Sequence, residues 1–171
     1  MTQAFIVSPT NGQLLSLEQW RELVSGNADL SITDAEYVAI VPDDGSTPFA
    51  FPKSDLGNMD WNAAMKAARD YRFTIPGFEE VVPSLPSRKQ GVDIGDANYA
   101  LSEEPEVHLD DILTEIGGRP VRGAYLWSCS RSRANSAWYF SGHYGFAYNS
   151  GLNLSFRALP VVLYPANKVS A

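Results

Sequence analysis

The sequence predicts an α+β protein in which helices come first and a short-stranded antiparallel sheet comes last. Two observations carry this. Helical stripes with capping residues lie before Gly117, and from Gly123 onward "AYLWSCS", "SAWYFS", "GFAYNS" and "SFRALPVVLY" are strand-like runs separated by Gly, Ser and Asn. Composition agrees: 171 residues that are 44% hydrophobic and 19% charged fit a globular chain with a real core. No fixed-period repeat and no linker divides it. The expected organisation is a single domain over 1–171, with an N-terminal helix and hairpin (1–58), helices and a long loop (59–122), and the C-terminal sheet (123–165).

Taken in order, "LSLEQWRELVSG" predicts a short helix. Ser16 and Gln19 have capping-box spacing, Leu17, Trp20, Leu23 and Val24 form one stripe, and Gly26 suits its end. "AEYVAIVP" (35–42) reads as a strand, "DDGS" as a turn and "TPFAFP" as the returning strand of a hairpin. "MDWNAAMKAARDYRF" is the strongest helix, with Asp60 as cap and Trp61, Ala64, Met65 and Ala68 on one face. In "TIPGFEEVVPSL" the Pro marks a break before a short second helix, and 84–106 reads as a long surface loop or insertion. "VHLDDILTEIGG" predicts a third helix closed by Gly117 and Gly118, with His108 at the surface near its start. Glu103, Glu104, Glu106, Asp110 and Asp111 lack the residue order of a calcium loop and are expected to form a solvated acidic face.

Several function classes are excluded by what is missing. A net charge of −7 argues against binding nucleic acid or anionic membranes. No apolar run approaches the ~18–20 residues of a membrane span, and the N-terminus lacks the basic and apolar regions of a signal peptide. Synthesis in a cytoplasm is expected, followed by residence there or delivery to a phage particle or a cell surface. The single cysteine, Cys129, rules out an intrachain disulfide and a cysteine zinc cluster, and it reads as a small core residue beside Trp127. The only histidines are His108 and His143, too few for a histidine-rich metal site. Phosphate-binding Gly loops and the G-x-S-x-G elbow do not occur. Ser128, Cys129 and His143 make no recognisable nucleophile and base. No enzymatic activity, cofactor or metal is expected.

The informative stretch is "SAWYFSGHYGFAYNSGLNLSFRALPV" (136–161), where aromatics alternate with Ser, Gly and Asn. From Ser128 to Arg157 there are three Arg and no Asp, Glu, Lys, Gln or Met. Such a mixture resembles a paratope: aromatic side chains supply contact area at low rotamer cost, and small polar ones adapt hydrogen bonds. The absence of acids beside the three arginines predicts tolerance of an acidic ligand.

Two segments together resemble bacterial C-type-lectin-like domains. "MDWNAAMKAARDYRFTIPGFEEV" is similar to their helix, short break and Pro-led second helix. "LDDILTEIGGRPVRGAYLWSCSRSRANSAWYFSGHYGFAYNSGLNLSFRALPVV" is similar to their C-terminal half, through Gly117, Gly118, Trp127, Ser128, Ala137, Trp138, Tyr139, Gly142, Arg157, Pro160 and Val161. The resemblance covers roughly residues 59–163. Ile75 and Gly77 depart from the usual Leu and Thr, and "ALPV" replaces "VRPV". The calcium-ligating E-P-N and W-N-D motifs of animal relatives are absent, so calcium-dependent sugar binding is not carried over, and enzymes of this fold need a cysteine pair or several histidines. Within the fold, the chain looks closest to the variable proteins of diversity-generating retroelements. These change codons at adenines and leave a segment without Lys, Glu, Gln or Met.

The resemblance implies a C-type-lectin-like fold, with helices packed on short twisted antiparallel sheets and a loop-rich C-terminal half. It implies Trp127, Ala137, Trp138 and Arg157 as scaffold. The outward ligand-binding candidates are Arg131, Arg133, Asn135, Tyr139, Ser141, His143, Tyr144, Phe146, Tyr148, Asn149, Asn153, Leu154 and Phe156. The expected function is non-catalytic, calcium-independent binding of a protein or glycan on another cell or particle. The alternative is a structural or assembly subunit of the same fold, a phage-particle or fimbrial-type component that uses the aromatic face to contact other subunits.

Overall fold

Apolar residues in "AFIV", "YVAIV" and "FAFP" build the first of two five-stranded sheets in the computed structural model, which describes residues 2–78, 81–99, 107–143 and 145–165. Strands β1 (Gln3–Val7), β2 (Leu14–Leu15), β3 (Tyr37–Val41), β4 (Phe49–Pro52) and, from the far end of the chain, β10 (Val162–Leu163) pair antiparallel in the order β10-β4-β3-β1-β2. The hairpin β3–β4 forms as expected, while β1 was not expected. The central strand β3 is buried on both faces, so its sequence is continuously apolar rather than alternating. Val38 and Ile40 enter the main core, and Tyr37 and Ala39 pack with Val7, Ala50, Ile75 and Tyr164 on the other side.

The second sheet contains β5 (Asn58–Met59), β6 (Tyr125–Arg133), β7 (Ser136–Ser141), β8 (Ala147–Gly151) and β9 (Phe156–Arg157), in the order β5-β9-β6-β7-β8. It is mixed rather than antiparallel throughout: β9 runs parallel to β6 at Leu126 and Arg157. Leu126 and Phe140 of this sheet share one core with Ile6, Val38, Phe49 and Phe51 of the first.

Two helices follow the sequence expectation closely. In α1 (Leu17–Ser25) the Gln19 amide donates to Ser16 Oγ (3.1 Å) and the Ser16 amide to Gln19 Oε1 (2.8 Å). Its buried Trp20 donates the indole N–H to the Ile32 carbonyl (3.0 Å). In α2 (Trp61–Asp70) Asp60 caps the Ala63 amide (2.8 Å), and Trp61, Ala64 and Ala68 are buried.

Three expectations need correction. The segment 84–106 is not a surface loop: it contains helix α3 (Arg88–Ala97), opened by a Ser87–Gln90 capping box and burying Ile94 and Ala97 in the main core. Residues 100–106, including Glu103, Glu104 and Glu106, lie outside the described residues. No second helix follows Pro76 among the described residues. A turn places the Phe78 amide on the Ile75 carbonyl (3.0 Å), and the chain reaches an antiparallel bridge between Ser84 and Val161. Val81 and Val82 are β-branched and Pro83 lacks an N–H, which favours extended backbone there.

The third correction concerns Asp110 in α4 (Leu109–Glu115), which is buried rather than solvated. Its carboxylate accepts the amides of Val121 (2.9 Å) and Arg122 (3.0 Å). Its own amide donates to the Oδ1 of Asn98, which is fully buried (2.9 Å). Asn98 Nδ2 donates to the Gly142 carbonyl (3.0 Å), and Arg122 donates to the Asn98 carbonyl (2.8 Å). His108 is the N-cap residue of α4, with a side chain only 17% exposed.

Close backbone approach seats α3 on the sheet. A Cβ on Gly91 would lie 2.8 Å from the Phe140 ring, and one on Gly145, at φ +71°, would lie 2.8 Å from Val92 Cα. Gly91→Ala is expected to lower stability by about 1–3 kcal/mol through overpacking. Asn98→Ala strands the Asp110 amide and the Gly142 carbonyl, each worth roughly 1–3 kcal/mol when buried without a partner. Urea-denaturation midpoints with unchanged m-values check both.

A candidate binding face on the second sheet

Strand register brings the aromatic residues together. Trp127 pairs with Tyr139, and Tyr139 with Tyr148, so three adjacent strands present rings side by side. Side chains alternate along a strand. Leu126 and Phe140 therefore turn toward the main core, and Tyr125, Trp127 and Tyr139 occupy the other face. Phe156 of β9 stacks on Tyr139 (4.2 Å between centroids, 20°) and meets Trp127 edge-on (4.8 Å, 71°). Tyr125 meets Tyr139 (5.4 Å) and Phe156 (6.0 Å) edge-on, and Tyr148 lies tilted 5.6 Å from Tyr139.

The result is a graded cluster. Trp127 is buried, Tyr139 and Phe156 are half-buried, and Tyr125 (49%) and Tyr148 (45%) are open to solvent. Phe146, two residues before Tyr148, is 62% exposed. Burial, reinforced by Tyr125 and Tyr148, raises the pKa of the Tyr139 hydroxyl above its ordinary value.

Beneath the rings, two indole hydrogen bonds tie β6 to α2 and to β5, the strand just before that helix. Trp61 Nε1 donates to the Ser128 carbonyl (2.9 Å), and Trp127 Nε1 donates to the Met59 carbonyl (2.9 Å). Ala64, Ala68, Leu85, Ala137 and Ala158 complete this packing. Helix α2 thus covers one part of the face and leaves the tyrosine-rich part open.

The structure divides the sequence candidates among several places. Tyr139, Tyr148 and Phe156 form the cluster. Arg131, Arg133 and Asn135 are exposed around the β6–β7 turn, where the Arg131 guanidinium lies 5.0 Å from the Trp61 ring centre and the Asn135 carbonyl accepts the Leu152 amide. Ser141 and His143 are half-buried at the opposite end of β7, with the His143 amide on Ser141 Oγ (3.2 Å) and its ring 6.2 Å from that of Tyr99. Asn153 and Leu154 are exposed in the β8–β9 turn. Asn149 pairs with Trp138 and so lies on the reverse face, where Arg88 covers the Trp138 ring at 4.0 Å. Tyr144 lies outside the described residues.

The residues expected to be scaffold include Trp127 and Ala137, which are fully buried, and Arg157, which donates to the Pro120 carbonyl (2.8 Å) and Asp55 (3.4 Å). Sequence reading missed Tyr125, although its spacing of two from Trp127 puts both on one face of a strand. It also missed the hollow beside it. Asn58, Arg119, Gly123, Ala124, Tyr125, Ser155, Phe156 and Arg157 line a space of about 270 Å³ next to the rings. Below it, the Asp55 side chain is wholly buried and accepts the Gly57 amide (2.9 Å) and both Arg119 (3.2 Å) and Arg157 (3.4 Å).

Ser128 is buried and its hydroxyl accepts the Ser130 amide (3.2 Å), while Cys129 is half-buried against the Trp61–Trp127 cluster. Among the described residues, no three His, Cys, Asp or Glu side chains are placed to hold a metal ion. Compared by sequence with known proteins, the chain matches no family model and no curated protein.

The gradation of burial sets the expected cost of truncation. Tyr139→Ala should lower stability by about 2–3 kcal/mol, because it removes the ring on which four others pack. Tyr148→Ala, at the open margin, should stay within about 0.5–1 kcal/mol. Thermal melts of the two variants test the order, and equal losses would contradict the packing described.

Proposed function

We propose that this protein is a non-catalytic, calcium-independent display protein of the C-type-lectin-like type, binding a protein or glycan on the surface of another cell or particle. The observation that carries the reading is the open aromatic cluster: Tyr125 and Tyr148, with Phe146 nearby, present exposed ring area on a sheet whose other side is packed. Rigid aromatics backed by a core are the features that concentrate binding energy at interfaces.

Retroelement-type diversification is part of the proposal, and burial supports it. Every described candidate is exposed or half-buried, whereas of the four residues expected to be scaffold Trp127 and Ala137 are buried and Trp138 and Arg157 are half-buried. Substitution at the exposed positions leaves the core intact. Helix α2, the closure of α4 at Gly117 and Gly118 and the strands after Gly123 are compatible with the lectin-like resemblance, whereas the Pro-led second helix it implies does not form among the described residues.

A second reading, a structural or assembly subunit, is favoured by one observation: β8, which carries Tyr148, is an edge strand of its sheet. Edge strands offer unpaired backbone groups to another chain.

The variant Tyr125→Ser, Phe146→Ser, Tyr148→Ser is expected to fold, remain a monomer in light scattering, and lose capture on arrays of bacterial surface proteins and glycans. Capture unchanged by the triple substitution would remove the face from consideration. An oligomer that the substitutions dissociate would favour the subunit reading. Diversification predicts, beside a reverse-transcriptase gene, a near-copy of the codons for residues ~128–163 that differs only where the copy has adenine. Sequencing the flanking DNA checks this.

A further inference from the structure

We infer that the hollow beside Tyr125 and Phe156 is a subsite for an acidic sugar, with the carboxylate on Arg119 and Arg157 and the ring against the two aromatic side chains. The inference rests on reading the aromatic face as a ligand-binding surface, and it names the ligand class taken at one end of that face.

Charge is the first argument. Two guanidiniums share one carboxylate, Asp55, so the floor of the hollow keeps an excess positive charge. Asp55 is already engaged by the Gly57 amide and both arginines, and its side chain is wholly inside. Both arginines bond through Nη1, Arg157 also reaching the Pro120 carbonyl, and their other N–H groups have no partner among the described residues. A guanidinium with an open N–H edge is matched to a carboxylate in geometry as well as charge. Asp55 also holds both side chains in position, so little ordering remains for a ligand to impose.

The walls supply the second argument. Tyr125 and Phe156 bring aromatic surface to the same space, and Asn58 and Ser155 bring an amide and a hydroxyl. At about 270 Å³ the hollow accommodates roughly a single sugar ring. A small inorganic anion would use the arginines and leave the rings idle. A neutral sugar would use the rings and leave the charge unmatched. A carboxylated sugar uses both sets, with its hydroxyls facing the amide and hydroxyl side chains.

The test is calorimetric titration of the full chain with glucuronate, glucose, acetate and inorganic phosphate, with a triglutamate peptide as competitor. Glucuronate is expected to bind at least ~10-fold more tightly than the other four, and to weaken as salt is raised. Arg119→Gln should cut glucuronate affinity ~10-fold and leave glucose unchanged, while Arg119→Lys, which keeps the charge without the fork, falls between. Tyr125→Ala should weaken both sugars and spare acetate. Equal binding of glucose and glucuronate overturns the inference. So does acetate, phosphate or triglutamate matching glucuronate, or an Arg119→Gln variant that folds and binds as before. Any of these leaves the display reading standing if the triple surface variant still abolishes array capture. If array capture also survives that variant, both fall.

Discussion

The buried pair of Asn98 and Asp110 is the constraint on which the functional end of the molecule depends. A carboxylate and an amide placed inside a core are costly unless each polar atom finds a partner. Here the partners are backbone groups of the start of α4, the loop at Val121 and Arg122, and the turn at Gly142, so that with the end of α3, which carries Asn98, four stretches are tied together. Because these groups depend on one another, the four stretches have a single mutually consistent arrangement. Gly142 is the point at which β7 leaves its sheet. A Cβ there would lie 2.2 Å from the Val121 carbonyl oxygen, so the backbone itself is clamped where the tyrosine-bearing strand ends.

The second sheet then works as a partition. On one side Phe140 and Leu126 are sealed by α3, which approaches closely because Gly91 has no side chain. On the other side the indole bonds from Trp61 to Ser128 and from Trp127 to Met59 fix α2 and the strand before it over part of the surface, which stops short of Tyr125 and Tyr148. The open rings are therefore held from beneath by rings that are not open. That arrangement gives an adaptable surface without an adaptable core, the rigid support that the proposed binding role requires.

Much of this was legible in the sequence, and the failures share a cause. Helix α1 could be read because Ser16 and Gln19 box it and Trp20 anchors a clear stripe. Helix α3 has the same box at Ser87 and Gln90, but Gly91, Asp93, Gly95 and Asp96 dilute its stripe. Gly91 answers to a neighbour distant in sequence, Phe140, and local propensity carries no trace of it. Asp110 looked like one more acid in an acidic run because the amides it accepts lie eleven and twelve residues further on. The aromatic enrichment of 136–156 was visible at once. Its partition was not, since assigning Tyr148 to one face and Asn149 to the other needs the register of β7 against β8.

That register has a consequence for how such a segment can change over time. Along β7 and β8, neighbouring residues belong to opposite worlds: Tyr139 beside Phe140, Tyr148 beside Asn149. Exchanging one exposed residue for another alters only the surface it belongs to. Removing or adding a single residue inverts everything after it, sending a tyrosine toward α3 and a core phenylalanine into water. The segment can therefore be respelled but not resized. Any process that generates new versions of this face must preserve length while altering identity.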